Sequence, residues 1–530
     1  MKKLSLILLI FTFFLSGVGG GLIYNAYHTN DFLISKETTN KKIKNEPVLD
    51  FDDSNYIQEN WLDKASESYA GGSGTKEDPY QISNERELAF LTKNCYEIAG
   101  YSRNKHFVLT DNINLNDGYF EENGTYHDGG DGKLNVWQPI GCTKSSNHYF
   151  KNATFNGNGF VINGVYINAT TGACGLFGYT TDVIIQNVKV RKSYVKATGS
   201  SVGGVVASVG LNTSQVLNCS YDGFVYSESI YVGGVIGAVT NVNVLISGCE
   251  NYGNVFSNGA QSIGGVVGWG YYGNRIEKCV NYGNVEAPKA YDAGGICGHG
   301  KVFDSVNYGT IYSNSSAGGI AGCGLQVENS QNYGTIEGDS SVGGIVGNAR
   351  NLVSNSHNYG AVSSVLGGDN IGGICGVSYA NVIQSNNFGK ISGRNYVGGV
   401  AGQLNSGNRI IVDCLNYGNV EGGSHIGGVV GYLKNGVLQY CKNVADVEVR
   451  SIRFGGVVGW VENSSKVYNS LSVSKVKGVE ANEIYYTNLK LFYIDPKNGE
   501  VGLKKHNATA MFLVDATEEI LLNKGFKIFK

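Results

Sequence analysis

Between residues 173 and 459 the apolar positions follow neither a 3.6-residue period nor simple alternation; they come in short bursts tied to glycine pairs. Each burst is a hexad: an apolar residue, Gly-Gly, Val or Ile, a small apolar residue, then Gly or Ala. Ten copies begin at Val202, Val232, Ile263, Ala293, Ala317, Val342, Ile371, Val397, Ile426 and Phe454, and a worn copy begins at Ala173. Spacings of 24 to 31 residues suit a solenoid coil that tolerates loop insertions. A second burst in most coils ends in a Cys/Ser position, then Asn-Tyr-Gly and a β-branched residue, as at Asn251-Tyr252-Gly253-Asn254-Val255. Dense glycine and β-branched residues exclude helix. Short strands at a drifting period predict an all-β fold, a right-handed parallel β-helix or solenoid of about eleven coils with small α+β caps at both ends.

The repeat columns carry their own expectations. Val205, Val235, Ile296 and their equivalents stack as β-branched core. The next residue (Val206, Ile236, Cys297) should point the opposite way in a strand, leaving either a greasy outer stripe or a second buried layer. The paired glycines permit a bend or a close backbone approach. Asn of Asn-Tyr-Gly is expected to form an amide ladder, with its Gly at φ > 0.

Outside the repeat, Lys2-Lys3 followed by the apolar run Leu4–Leu15 and Ser16–Gly21 reads as a secretory signal or an uncleaved anchor. The expected organisation is 1–23 signal peptide or anchor, 24–70 tether, 71–172 N-terminal cap, 173–475 repeats and 476–530 C-terminal cap. In the N-terminal cap, Asn84 and Glu87 frame a helix with Leu88, Leu91, Cys95 and Ile98 on one face. In the C-terminal cap, strands are expected at Ile484–Tyr486 and Leu489–Ile494, and Asp515–Glu518 opens a helix ended by Gly525.

Composition narrows the class. Gly 77 against Pro 5 excludes collagen and Pro-rich linkers, and 42% hydrophobic with 16% charged residues indicates a packed core. A net charge of −3 without a basic field argues against nucleic acid. Of eleven cysteines, Cys219, Cys249, Cys279, Cys414 and Cys441 occupy a column filled elsewhere by Ser305, Ser330, Ser356 and Ser385. Stacking makes bridges such as Cys219–Cys249 feasible, but a site that accepts Ser points to buried thiols.

Gly175-Leu176-Phe177-Gly178 and the hexads resemble the GLUG repeat. Gly74-Thr75, Asp78-Pro79-Tyr80-Gln81-Ile82, Leu109–Leu115, Trp137-Gln138-Pro139-Ile140-Gly141 and Phe155-Asn156-Gly157-Asn158-Gly159 resemble the segment that introduces such repeats in exported bacterial proteins. The resemblance implies a β-helical surface module of the kind found in adhesins and in the non-catalytic part of immunoglobulin-A peptidases. No His in the chain is followed by Glu, so the H-E-x-x-H zinc site of those peptidases is absent.

Candidate chemistry is sparse at this level. Gly298-His299-Gly300 matches a tripeptide of β-helical polygalacturonases, but it occupies a repeat position where another coil has Gly268-Trp269-Gly270, and no paired Asp is near it in sequence. Asn112, Asn114, Asn116 and Asp117, like Asp128 and Asp131, read as polar turns, since no bidentate carboxylate follows. Asp222, Asp292, Asp304 and Asp413 fall one per coil. The ligand-binding candidate is the aromatic column Tyr252, Tyr282, Tyr308, Tyr333, Tyr359, Phe388 and Tyr417, whose rings would meet sugars or an apolar partner if exposed. The expectation is an exported, non-enzymatic cell-surface adhesin or binding scaffold for a glycan or protein. It has no catalytic, cofactor or metal site, and it touches membrane only through the N-terminal segment. A carbohydrate-active enzyme on the same fold and a passive stalk are the alternatives.

Overall fold

The computed structural model describes residues 51–472, apart from 142–144, 171, 212, 260, 366, 452 and 463, together with strands Val476–Lys477, Phe492–Ile494 and Val501–Leu503. The expected signal, residues 24–50 of the expected tether, the strand at 484–486 and the helix at 515–525 lie outside the described residues. Among the described residues no helix is long and apolar enough to cross a membrane.

The chain is an all-β solenoid of stacked parallel coils, about 13 turns. Each repeat coil visits three parallel sheets in turn. The hexad opens the first, an 11-stranded sheet running from Ala173–Cys174 to Phe454–Gly455 with Val202, Val232, Ile263 and Ala293 in register. After Gly-Gly the chain turns into a second sheet, through strands such as Val206–Gly210 and Gln215–Leu217. The Asn-Tyr-Gly segment forms the third, with Asn251, Asn281, Asn307 and Asn332 in register. The turn count exceeds the eleven hexads because the stacking begins earlier. Tyr80–Ile82, Lys105–Leu109 and Phe150–Asn156 pair in succession and feed into Phe177–Gln186 of the second sheet.

Between Gly-Gly and the second sheet the chain rounds a corner, so strand alternation does not apply there. Val205 and Val206 are both fully buried, as are Val235 with Ile236 and Ile296 with Cys297. The small apolar column is therefore a second core layer, not an outer stripe. The glycine of Asn-Tyr-Gly is also not where φ is positive. A Cβ on Gly283 would strike the carbonyl of Gly253 one coil earlier, so this position demands closeness between coils. The left-handed residue stands just before the Cys/Ser column, where Asn218, Asp304, Asn329, Asn355 and Asp413 have φ of 45–53°. Asn and Asp tolerate that conformation best among non-glycine residues, and it turns the chain from the second sheet to the third.

The Asn ladder holds the third sheet together. Each Nδ2 from Asn251 to Asn416 donates to the Oδ1 of the next coil's Asn at 2.8 Å and to the carbonyl two residues ahead at 2.7–2.9 Å. These side chains are fully buried, where an unpaired amide is costly. Beside them Cys219, Cys249, Cys279, Cys414 and Cys441 are buried thiols, not disulfides. Burial pushes the Cys219 and Cys441 thiols up.

Helix Glu85–Glu97 starts at Asn84, whose Oδ1 accepts from Glu87 N at 3.1 Å, while Glu87 Oε2 accepts from Ser83 N at 2.6 Å. Residues 51–70, inside the expected tether, carry structure: Ile57–Asn60 pairs in parallel with Lys133–Val136, and Trp61 is buried with its Nε1 donating to Leu115 O at 3.1 Å.

Candidate functional site

The predicted ligand column is a continuous ring stack. Tyr252, Tyr282, Tyr308, Tyr333, Tyr359, Phe388 and Tyr417 follow one another with centroids 4.7–5.2 Å apart and interplanar angles of 1–11°. Tyr308 and Tyr333 are half-buried; the other five are exposed. Because coils repeat at ~4.8 Å, each ring's faces are covered by its neighbours, and Arg191 lies 5.2 Å over Tyr252 at the start. The column turns ring edges and hydroxyls to solvent. Two of those hydroxyls donate to their own coil, Tyr252 to Glu250 and Tyr333 to Gln331, both at 2.7 Å.

A different strip gathers chemistry that the sequence scattered. The residue before each hexad and the residue after it form two facing columns at the corner between the first and second sheets. Register places Ser262, Asp292 and Ser316 in one, and Trp269, His299, Cys323 and Asn348 in the other. They meet across the corner at several heights. Tyr231 stacks on Trp269 at 5.1 Å, Tyr396 on Tyr432 at 5.4 Å, and Arg453 lies 4.1 Å over Trp460.

At mid-height the two columns bring together Asp292, His299 and Cys323. His299 Nδ1 lies 3.8 Å from Asp292 Oδ2, and one ligating atom from each of the three falls within 4.8 Å of the others. Asp292 and His299 are partly exposed, and Cys323 is buried. Burial works to lower the His299 pKa, but Asp292 and Cys323 outweigh it and hold the imidazole up to about 9. Three further exposed rings belong to these same coils. Tyr271, Tyr272 (61% exposed) and Tyr291 (66% exposed, next to Asp292) stand here, and Tyr272 meets the His299 ring edge-on at 6.3 Å. Two strip amides, Asn348 and Asn370, have shielded Oδ1 atoms with no hydrogen-bond partner among the described residues.

The remaining sequence candidates are structural. Asp128 Oδ1 and Asp131 Oδ1 accept from Gly130 N and Lys133 N two residues on, as turn formers, at 3.0–3.1 Å. Asn112 Oδ1 accepts from the distant Val161 N at 2.9 Å, and Asn116 Nδ2 donates to Gly164 O at 2.8 Å, so these side chains tie segments together. Of Asp222, Asp292, Asp304 and Asp413, only Asp292 joins the cluster of His299 and Cys323. The signal for that cluster was present in the sequence. His299 and Cys323 both lie six residues after their hexad's first position, and Asp292 one before it, so aligning the hexads superposes them.

No family model matches the chain. A protein of Evansella cellulosilytica named "Putative Gly-rich membrane protein" is 36% identical over 149 residues, which cover 28% of this chain. The chain spans only 14% of that relative's length. Among solved structures, one described as "a putative immunoglobulin A1 protease from Bacteroides ovatus" aligns with a TM-score of 0.37 and 18% identity, over 59% of this chain and 80% of that one.

Proposed function

We propose that this chain is a non-catalytic solenoid displayed at the cell surface, and that it binds glycans through the strip flanking its hexads. The observation that carries the reading is the pair of exposed rings Tyr271 and Tyr272 beside Trp269, with the exposed Tyr291 preceding Asp292 on the facing column. Aromatic area of this kind is seldom left in water on a protein without a partner. Unlike the stacked column, Tyr271 and Tyr272 meet their neighbours edge-on, with Trp269–Tyr271 at 73° and Tyr271–Tyr272 at 86°, which leaves ring faces for sugar C–H groups. Display at the surface is supported by the basic, apolar and small-residue succession of residues 2–21 and by the membrane-protein name of the relative.

A glycan array probed with the full chain tests this, using Tyr272→Ala/Tyr291→Ala and Tyr308→Ala/Tyr333→Ala as paired variants. The expected result is glycan binding that the first pair loses and the second keeps. Loss only with the second pair would return recognition to the stacked column. Silence on every glycan would end the glycan reading.

A further inference from the structure

We propose that Asp292, His299 and Cys323 form a binding site for a zinc-type divalent cation on the flank of the solenoid, an inference that does not rest on the glycan reading. The three side chains come from two successive coils: Asp292 from the first sheet, His299 from the same coil's second-sheet strand, and Cys323 stacked in register on His299. A carboxylate, an imidazole and a thiol are the donor types zinc takes, and the sulfur disfavours calcium or magnesium.

The geometry separates this reading from a catalytic relay. In a thiol–imidazole–carboxylate relay the ring stands between its partners, and two hydrogen bonds plus the ring hold sulfur and carboxylate about 6–7 Å apart. Here all three ligating atoms lie within 4.8 Å of one another. The 3.8 Å between Asp292 and His299 is too long for a hydrogen bond. It approaches the ~3.3 Å that separates nitrogen and oxygen ligands across a tetrahedral zinc with bonds of ~2.0–2.1 Å.

A second observation points the same way. Asn348, next on the column after Cys323, has a buried Oδ1 that lacks a donor among the described residues. A water on the metal's fourth position is such a donor. The partial exposure of Asp292 and His299 leaves a side open for the ion to enter.

Neighbouring coils supply substitutions the fold already accepts. The Asp292 column carries Ser262 and Ser316, and the column of His299 and Cys323 carries Ser208 and Asn348. The test uses the full chain with Asp292→Ser, His299→Asn and Cys323→Ser, each checked for unchanged circular dichroism. Zn²⁺ affinity is measured by competition with a chromophoric chelator, and Co²⁺ is used as the spectroscopic probe. One Co²⁺ per chain is expected, with a near-ultraviolet thiolate-to-cobalt charge-transfer band that Cys323→Ser abolishes. Each variant should weaken Zn²⁺ by about 100-fold or more, beyond the roughly 10–100-fold typical of losing an outer-shell partner. Wild-type protein without that band, or variants that bind Zn²⁺ as tightly as wild type, would overturn the proposal.

Discussion

Gly295 lies directly against the side chain of Asn307: a Cβ there would overlap the Asn307 amide and the carbonyl of Gly319 in the next coil. The same pairing recurs as Gly319 with Asn332, Gly344 with Asn358 and Gly399 with Asn416. The two motifs of the repeat are thus halves of one device, in which the second glycine of the hexad, from Gly234 to Gly428, leaves the room that the amide of the same coil fills. None of these glycines has a positive φ, so their requirement is for space.

Gly319→Ala should therefore destabilise the chain by roughly 1–3 kcal/mol or more, the usual cost of overpacking a close-packed interior. Gly407→Ala, with nothing within 4 Å of the added carbon, is the control and should be neutral. Urea denaturation of both variants decides it.

Asn332→Ala removes the donor to Gly334 O and to Asn358 Oδ1, and the acceptor for Asn307 Nδ2. With each orphaned buried group costing about 1–3 kcal/mol, the variant should lose roughly 3 kcal/mol or fail to fold. Asn443→Ser should cost less, because Asn443 already bonds to a serine, Ser472, at the ladder's end. The difference between the two denaturation midpoints is the measurement.

Removing one ring from the stack breaks two contacts. Tyr308→Ala should cost about 1–3 kcal/mol in total, at ~0.5–1.5 kcal/mol per aromatic pair. Tyr308→Phe should be silent in thermal denaturation, since Phe388 holds the equivalent place.

His425 provides a pH dependence. Its ring is partly buried and Arg453 Nη1 lies 2.8 Å from Nε2, so burial and then the guanidinium charge depress its pKa to about 4, against some pull from Asp369. Ser424 Oγ is 2.9 Å from Nδ1, and Tyr396, Tyr432 and Trp460 surround the ring. The unfolded chain, with an ordinary His pKa near ~6.5, binds more protons in this window, so stability falls as pH drops from about 6.5 to about 4. His425→Asn should flatten that acid limb in unfolding curves taken across the window.

Cys174, Cys297 and Cys375 have pKa values raised by burial, Cys174 to about 11. Iodoacetamide followed by peptide mass mapping should leave them unmodified in native protein at neutral pH and modify them in guanidinium.

The framework was legible in the sequence because stacking imposes one residue type on each column: Asn, Val or Ile, and Gly repeat wherever neighbours must be identical to fit. The strip beside the hexads was obscure for the same reason. Its positions are free of the stacking demand, so Trp269, His299, Cys323 and Asn348 show no pattern along the chain. Asp292 and His299 are seven residues apart and Cys323 a further 24, distances that become contacts only once coil length and register are known. The fate of the small apolar column was equally hidden, because burial of both Val205 and Val206 depends on where the chain turns between sheets.

The division between a uniform frame and a free strip bears on how such a chain changes over generations. A mutation beside a hexad rewrites one row of the outer surface and leaves the frame's fit intact, while gain or loss of a whole coil lengthens or shortens the row of contacts without disturbing its neighbours. The chemistry of the outer surface can thus be edited one line at a time, at little risk to folding.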